Sequence, residues 1–199
     1  MHWIGNYYFC NKSGYDRKIM NTKEKILQDA YIVFINNGFH NTSMQQLVEA
    51  SKLSKGAFYH YLKSKNELYK QVVNQYFLSF YTAVNWNDYQ NEQLTIKDVT
   101  TAIERFYLNF VPKIISTTDS GMSKYYIMYF EAYNLLPEFK TIVQDFYENL
   151  KNILKKATDN TEELDKKATE IIAKYEGLLF LLAINPDLKI EMLLKQISE

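Results

Sequence analysis

The feature that most constrains the fold of this chain is a series of apolar stripes at helical spacing, which runs from residue 26 to residue 194. Apolar side chains recur every three or four positions, and the alternation typical of a strand does not persist anywhere. Only six glycines and three prolines interrupt the 199 residues, of which 47% are apolar. This composition excludes disordered and collagen-like chains. The sequence therefore predicts an all-α protein.

Helix-capping residues indicate where the helices begin. In a capping box, the polar side chain at the N-cap accepts a hydrogen bond from a backbone amide in the first turn. The polar side chain three residues later accepts one from the backbone amide of the N-cap residue. Five pairs fit this pattern: Asn21 with Glu24, Thr42 with Gln45, Ser64 with Glu67, Thr95 with Asp98 and Asn160 with Glu163. A single cap at Ser54 fits between them. We expect the first helix to end at Asn37-Gly38 and a later one to end near Pro112.

These signals divide residues 21–63 into three short helices around one small core, which is helix-turn-helix geometry. An ordinary helical bundle fits the same spacing. The charge is unevenly distributed, because residues 1–68 carry nine Lys/Arg and five Asp/Glu, whereas the remainder carries 14 and 18. A basic first third is typical of a segment that binds a polyanion.

Several classes of protein are excluded by simple counts. The single cysteine, Cys10, excludes a disulfide scaffold and a multi-cysteine metal site, and it indicates a reducing compartment. The sequence has no signal-peptide pattern at its start and no apolar run long enough to cross a bilayer. It also lacks a Gly-rich phosphate loop, a nucleophile elbow and an HExxH motif. We expect a cytoplasmic protein without catalysis, cofactor, metal or membrane contact.

Many spaced residues between Thr22 and Leu68 form a recognisable pattern. They are Thr22-Lys23, Ile26-Leu27, Ala30, Phe34, Gly38-Phe39, Thr42-Ser43-Met44, Leu47, Ala50, the run from Leu53 to Leu62, Lys63-Ser64-Lys65 and Glu67-Leu68. This segment resembles the DNA-binding region of the TetR family of transcriptional regulators and covers about a quarter of the chain. Lys52 departs from the pattern, because the family has glycine in this turn. A side chain in the left-handed conformation costs on the order of 1 kcal/mol.

The resemblance implies that the third helix enters the major groove of an operator DNA. Helical periodicity agrees, since placing Phe58 and Leu62 inward turns Gly56, Tyr59, His60 and Lys63 outward. The resemblance further implies base contacts by Lys55, Gly56 and Ala57. It implies contacts to the DNA backbone by Thr42, Tyr59, His60, Tyr61 and Lys65, with Ser43 and Ser54 on the same surface. For Tyr61, packing against the core stays an equally open interpretation.

The second part of the chain is expected to pair two copies and to bind a ligand. Seven consecutive apolar residues, Leu178 to Ile184, leave both faces of one helix to be buried. We expect helices at 138–157 and 163–184 to form a homodimer interface as a four-helix bundle, although a central helix wrapped by its own chain is an alternative. Aromatic residues crowd 76–133 as core or pocket, and the resemblance places a small-molecule effector site here. The candidates are Phe106, Phe110, Tyr126 and Phe130.

The predicted organisation is a mobile N-terminal extension at 1–19, a helix-turn-helix DNA-binding domain at 20–68 and a helical ligand-binding and dimerisation domain at 69–199. Met20 is an alternative start. The predicted function is a DNA-binding transcriptional regulator, a ligand-responsive repressor that binds a palindromic operator as a homodimer. The alternative is a helical ligand-binding or protein-interaction module without operator binding, and a small helical enzyme is a third hypothesis.

Overall fold

The computed structural model describes residues 21–89, 94–157 and 164–198, and within these ranges the chain forms helices and turns with no strand, which confirms the all-α prediction. It divides into two compact units between Val84 and Asn85. The first unit contains α1 (Thr22–Asn37), α2 (Met44–Ser51), α3 (Lys55–Tyr61), α4 (Lys65–Val72), a π-helical turn (Val73–Phe77) and α5 (Ser79–Thr82). The second contains a 3-10 turn (Trp86–Tyr89), α6 (Ile96–Thr117), α7 (Met122–Leu135), α8 (Pro137–Lys156), α9 (Leu164–Ile184) and α10 (Ile190–Ser198).

Some predicted features lie outside the described residues, and the predicted domain boundary does not coincide with the division into two units. The extension at 1–19 and the cap at Asn160 lie outside the described residues. The predicted boundary at residue 68 falls inside α4, and the packing of the first unit continues to Val84. The assignment of DNA binding to 20–68 and of ligand binding to 69–199 stays a prediction.

Local hydrogen bonds explain most of the helix ends. Glu24 N donates to Asn21 Oδ1 over 2.9 Å, and Asn21 N donates to Glu24 Oε2 over 3.1 Å, so the predicted capping box begins α1. Ser54 Oγ accepts from Ala57 N at the start of α3. Gly38 ends α1 with a φ of 78°, a conformation that favours glycine. These predictions are confirmed.

The predicted start of α2 is wrong by one residue. Ser43, not Thr42, is the N-cap, because Gln46 N donates to Ser43 Oγ and Ser43 N donates to Gln46 Oε1. The Thr42 side chain is buried, and its hydroxyl donates to the Gly38 carbonyl over 2.6 Å. Thr42 therefore fixes the turn between α1 and α2.

The predicted end of α6 near Pro112 is also wrong, because the helix continues through this proline to Thr117. A proline inside a helix removes one hydrogen bond and costs about 3 kcal/mol. Here Val111 and Ile114, on either side of Pro112, are both buried. Packing of these side chains holds the following turn in the helical conformation.

The three short helices of the first unit share one apolar core. Phe34 of α1, Leu47 of α2 and Phe58 of α3 are almost completely buried. Tyr69 of α4 meets the edge of the Phe34 ring, with 5.0 Å between ring centroids. Burial of each such side chain contributes about 1.5–3 kcal/mol, so these contacts hold α2 and α3 in the helix-turn-helix arrangement.

Lys52 adopts the left-handed conformation in the turn between α2 and α3, with φ 58° and ψ 22°. Among the described residues, no other non-glycine residue has a positive φ. Lys52→Gly is therefore expected to raise the free energy of unfolding by about 0.5–1 kcal/mol. Urea denaturation measures this, with Lys52→Ala as the control, because alanine keeps the Cβ and gains nothing. An equal gain in both variants would assign the effect to the lost charge.

Candidate nucleic-acid interface

Helix α3 exposes most of its residues. Of its seven residues only Phe58 is buried, and the other six are exposed. Phe58 and Leu62 both have 0% of their side chains exposed and attach this short helix to the core. The predicted outward direction of Gly56, Tyr59 and His60 is confirmed, and Lys63 is exposed as well. Helix α3 thus presents a surface, and its contribution to the core is confined to one residue.

Gly56 has no packing reason to be a glycine. A Cβ built at this position meets no atom within 4 Å. Glycine inside a helix costs about 0.5–1 kcal/mol relative to alanine. In the described part of the chain, no neighbouring group packs so closely against Gly56 that a larger residue would be excluded. A small residue here instead fits the close approach of an external surface, and the neighbouring Ala57 is small and exposed too.

Three aromatic polar residues complete the exposed face of α3. Tyr59 and Tyr61 are 39% and 38% exposed, and the rings of His60 and Tyr61 lie edge to face at 5.3 Å. Tyr61 therefore does not pack into the core, which was the open question for this residue. Hydroxyl and imidazole groups on such a surface donate readily to phosphate oxygens.

The charge around α3 is positive. The segment from Ser51 to Asn66 contains four lysines and no acidic residue. Lys52, Lys55 and Lys63 are exposed, and the N-caps Ser43 and Ser54 are exposed beside them. This surface attracts a polyanion without an internal carboxylate to compete for its lysines.

Lys65, in contrast, is occupied within the protein. Its Nζ donates to the Phe39 carbonyl over 2.9 Å and to the Thr42 carbonyl over 2.8 Å, and it lies 4.2 Å from the centroid of the Phe39 ring. The predicted phosphate contacts by Lys65 and by the buried Thr42 side chain do not agree with this geometry. Both residues instead stabilise the turn that precedes α2.

The second unit contains a cavity of about 830 Å³ between α7, α8 and α9, here called the α7–α9 cavity. Of the four predicted pocket residues, Phe130 lines it, and Tyr126 stacks against Phe130 with centroids 6.1 Å apart. Phe106 and Phe110 do not line it; they stack on each other along α6 with centroids 5.3 Å apart. Phe110 also contacts the Tyr125 ring of α7, with centroids 5.1 Å apart, and the assignment of the α6 pair to a pocket stays a prediction.

Glu176 of α9 is a notable residue that the sequence reasoning missed. Its Oε1 accepts a hydrogen bond of 2.9 Å from the Tyr107 hydroxyl of α6. Burial raises the pKa of this carboxyl, and hydrogen bonds from Tyr147 and Tyr107 act in the opposite direction. Tyr147 also lines the α7–α9 cavity. The available signal was a lone acidic residue within the otherwise apolar stripe of α9.

The predicted dimer interface includes α9, and this helix has several exposed apolar side chains. Phe180, Leu181 and Ile184 of α9 are 56%, 41% and 63% exposed, and Met192 of α10 is 61% exposed. The stripe of α8, in contrast, is buried within its own unit through Phe139, Val143, Ile153 and Leu154. In the described part of the chain, α9 thus has an uncovered apolar face and α8 does not.

The described residues were also compared with the requirements of a membrane-spanning helix and of a metal site. In the described ranges, no helix is long and apolar enough to span a membrane. The same residues include no group of three or more His, Cys, Asp or Glu side chains that could hold a metal ion.

Comparison with known proteins gives matches over both units. QacR, an HTH-type transcriptional regulator of Staphylococcus aureus, is 34% identical over 90 residues, which cover 45% of this chain and only 43% of QacR. An HTH-type transcriptional regulator in the lacX 3′ region of Lactococcus lactis is 24% identical over 86% of this chain and 88% of its own length. The structure of a TetR transcriptional regulator from Legionella pneumophila has the same fold, with a TM-score of 0.61 at 20% identity over 91% of this chain and 97% of that one.

A family model places the match on the helices described above. The model of bacterial regulatory proteins of the tetR family matches residues 26–72, which run from α1 to the end of α4. These are the helices that hold and present the exposed α3. Both relatives named above are described as HTH-type transcriptional regulators, the one from Lactococcus lactis as uncharacterized. Residues 26–72 of this chain are therefore similar to the tetR family of bacterial regulatory proteins.

Proposed function

We propose that this protein is a ligand-responsive transcriptional regulator that binds a palindromic operator as a homodimer and represses transcription from it. The observation that carries the proposal is the exposed surface of α3, with six of its seven residues exposed. The surrounding acid-free segment from Ser51 to Asn66 supports it, because its lysines suit a polyanion. The names of the relatives support the same function.

In this proposal α3 lies in the major groove of DNA. Lys55 binds a guanine edge, Gly56 lets the helix approach, and the Ala57 methyl contacts a thymine methyl. The residues that hold the DNA backbone are the exposed ones near α3: Ser43, Ser54, Tyr59, His60, Tyr61 and Lys63. Thr42 and Lys65 act indirectly, through the turn that they stabilise.

The proposed dimer forms through the uncovered face of α9. Phe180, Leu181 and Ile184 would pack against the same residues of a second copy, since two-fold interfaces pair a patch with itself. Helix α8 then supports α9 from within its own unit, which is a smaller role than the sequence predicted. A dimer of this kind presents two α3 helices to half-sites about one DNA turn, ~34–36 Å, apart.

The proposed response to a ligand is a shift of population. A cavity of about 830 Å³ lies within the range of small-molecule sites, which is roughly 300–1,000 Å³. A ligand that binds more tightly to a conformation with poor operator affinity releases the DNA. To convert nearly all of the protein to that conformation, the ligand must bind it on the order of 10⁴-fold more tightly than the DNA-binding conformation.

Selection of duplexes from a random library by the purified protein, followed by sequencing, tests the proposal directly. The expected result is a palindrome whose half-sites lie about one helical turn apart. If no palindrome is selected, or if the protein is strictly monomeric, the proposal fails. The alternative of a ligand-binding or protein-interaction module without operator binding then takes its place.

Two substitutions on α3 separate base contacts from backbone contacts. Lys55→Ala is expected to weaken the selected site by about tenfold and to relax the preference at one base position, because a good base contact contributes about 1–3 kcal/mol of discrimination. Tyr59→Phe is expected to weaken all duplexes alike, by about fivefold for one lost hydrogen bond of ~1 kcal/mol. Competition binding on single-base variants measures both. A uniform loss for Lys55→Ala would contradict its contact to a base.

A further inference from the structure

The carboxylate of Glu176 has only neutral hydrogen-bond partners. Tyr107 donates to it over 2.9 Å, and Tyr147 supplies the other hydrogen bond that acts on it. No lysine, arginine or histidine in the described ranges forms an ion pair with it. Removing an anion from water with neutral donors alone is unfavourable, and burial accordingly raises the pKa of Glu176. A ligand that carries a positive charge would offset this cost.

Tyrosine rings connect Glu176 to the α7–α9 cavity. Glu176 does not line the cavity itself, but Tyr129 and Tyr147 do, and the charge of Glu176 helps to raise the pKa of both tyrosines. Burial, with a further contribution from Glu176, raises the pKa of Tyr129 to about 12. A phenol that lies beside a carboxylate or donates to it gains electron density, so that its ring face attracts cations more strongly.

The rest of the cavity wall contributes further rings and more acidic than basic side chains. Phe130 and Tyr133 add two more rings. Asp145 and Glu148 line the cavity as well, whereas Lys151, a cation in the wall, lies 3.1 Å from Asp165 Oδ2 in an ion pair. A negatively charged ligand would therefore meet like charges, and the few oxygen ligands among rings do not suit a metal ion.

We propose that the α7–α9 cavity binds an organic cation with an aromatic or other apolar body, held against the rings of Tyr129 and Tyr147 with Glu176 as the counter-charge. The proposal rests on the proposed function and names the chemical class of its effector. The cavity, at about 830 Å³, accommodates a ligand of drug-like size. Quaternary ammonium groups are typical partners of such tyrosine-lined sites.

Three probes that share a naphthalene body test the charge preference. They are (2-naphthylmethyl)trimethylammonium, its neutral isostere 2-neopentylnaphthalene, in which carbon replaces nitrogen, and naphthalene-2-sulfonate. Binding to the full chain is measured by calorimetry or by probe fluorescence, without DNA. The expected order is the cation first, at least about tenfold tighter than the neutral isostere, with the sulfonate weakest.

A matched pair of variants tests the residue. Glu176→Gln is expected to weaken binding of the cation by about tenfold and to leave the affinity of the neutral isostere within twofold. Glu104→Gln is the control, because Glu104 accepts a hydrogen bond of 2.6 Å from Tyr175, a tyrosine that does not line the cavity, whereas Glu176 accepts one from Tyr147, which does. It is expected to leave the affinity for the cation unchanged.

Three results on the unmodified protein would overturn the proposal: equal affinity for the cation and its isostere, tighter binding of the sulfonate, or no binding of the cation. These results need no variant, so they hold even if Glu176→Gln folds poorly. Equal losses in both variants would also contradict the role of Glu176. None of these measurements involves DNA, so a failure here is distinguishable from a failure of operator binding, which the duplex selection decides.

Discussion

Replacing Gly56 with glutamate is expected to lower operator affinity by about 100-fold, or about 2.7 kcal/mol, while the first unit stays folded. The position is exposed, and a Cβ there meets no atom within 4 Å, so the larger side chain fits the protein itself. An acidic residue in the first turn of a helix is also favourable for the helix. Against DNA, however, it adds bulk and negative charge where α3 comes closest in both copies.

Two controls make this result specific to the proposed interface. Gly56→Ala adds only a methyl group and is expected to cost less affinity than the glutamate. Asn74→Glu adds the same charge to the exposed surface of the π-helical turn, about 13 Å along the helix from Lys65. It is expected to change operator affinity by less than threefold. Gel-shift titration at one salt concentration compares them, and a similar loss in Asn74→Glu would show a general charge effect instead.

Replacing Lys65 with methionine is expected to lower the free energy of unfolding by about 2 kcal/mol. The substitution keeps the length of the side chain but removes two charge-assisted hydrogen bonds, to the Phe39 and Thr42 carbonyls, and the contact with the Phe39 ring. Because Lys65 is only partly buried, water replaces part of what is lost, so the two hydrogen bonds together contribute about 1.5 kcal/mol and the cation above the Phe39 ring adds about 0.5 kcal/mol. Chemical denaturation measures the loss.

Lys63→Met is the matched control, because Lys63 is exposed two residues earlier in the same segment. It is expected to leave stability within 0.5 kcal/mol, as surface substitutions usually do, and to reduce the salt dependence of operator binding instead. If Lys65→Met kept full stability and altered only the salt dependence, Lys65 would be a phosphate contact after all, as the sequence suggested.

Features decided within one turn of the chain were predictable from sequence. The capping box at Asn21 and the end of α1 at Gly38 depend on partners three or four residues apart. The start of α2 shows where this reasoning fails. Thr42 and Ser43 are both followed by glutamine three residues later, so the sequence offers two equivalent boxes. The choice depends on the burial of the Thr42 side chain and on Lys65, 23 positions away, which donates to the Thr42 carbonyl, and both are matters of tertiary packing.

The candidate sites divide in the same way. The exposed face of α3 follows from helical periodicity once Phe58 and Leu62 are placed inward. The contacts of Lys65 join residues 26 and 23 positions apart, and that of Glu176 joins residues 69 positions apart. No periodic pattern encodes such distances, so these roles required the structure. The sequence also could not separate core rings from pocket rings among the aromatic residues of α6, because the two look alike in sequence.

The two tyrosine–glutamate hydrogen bonds between α6 and α9 have a mechanical consequence. Tyr107 donates to Glu176 and Tyr175 donates to Glu104, so each helix supplies one donor and one acceptor. A slide of one helix past the other would therefore disturb both hydrogen bonds at once. Together the two hydrogen bonds favour the observed longitudinal alignment of α6 and α9.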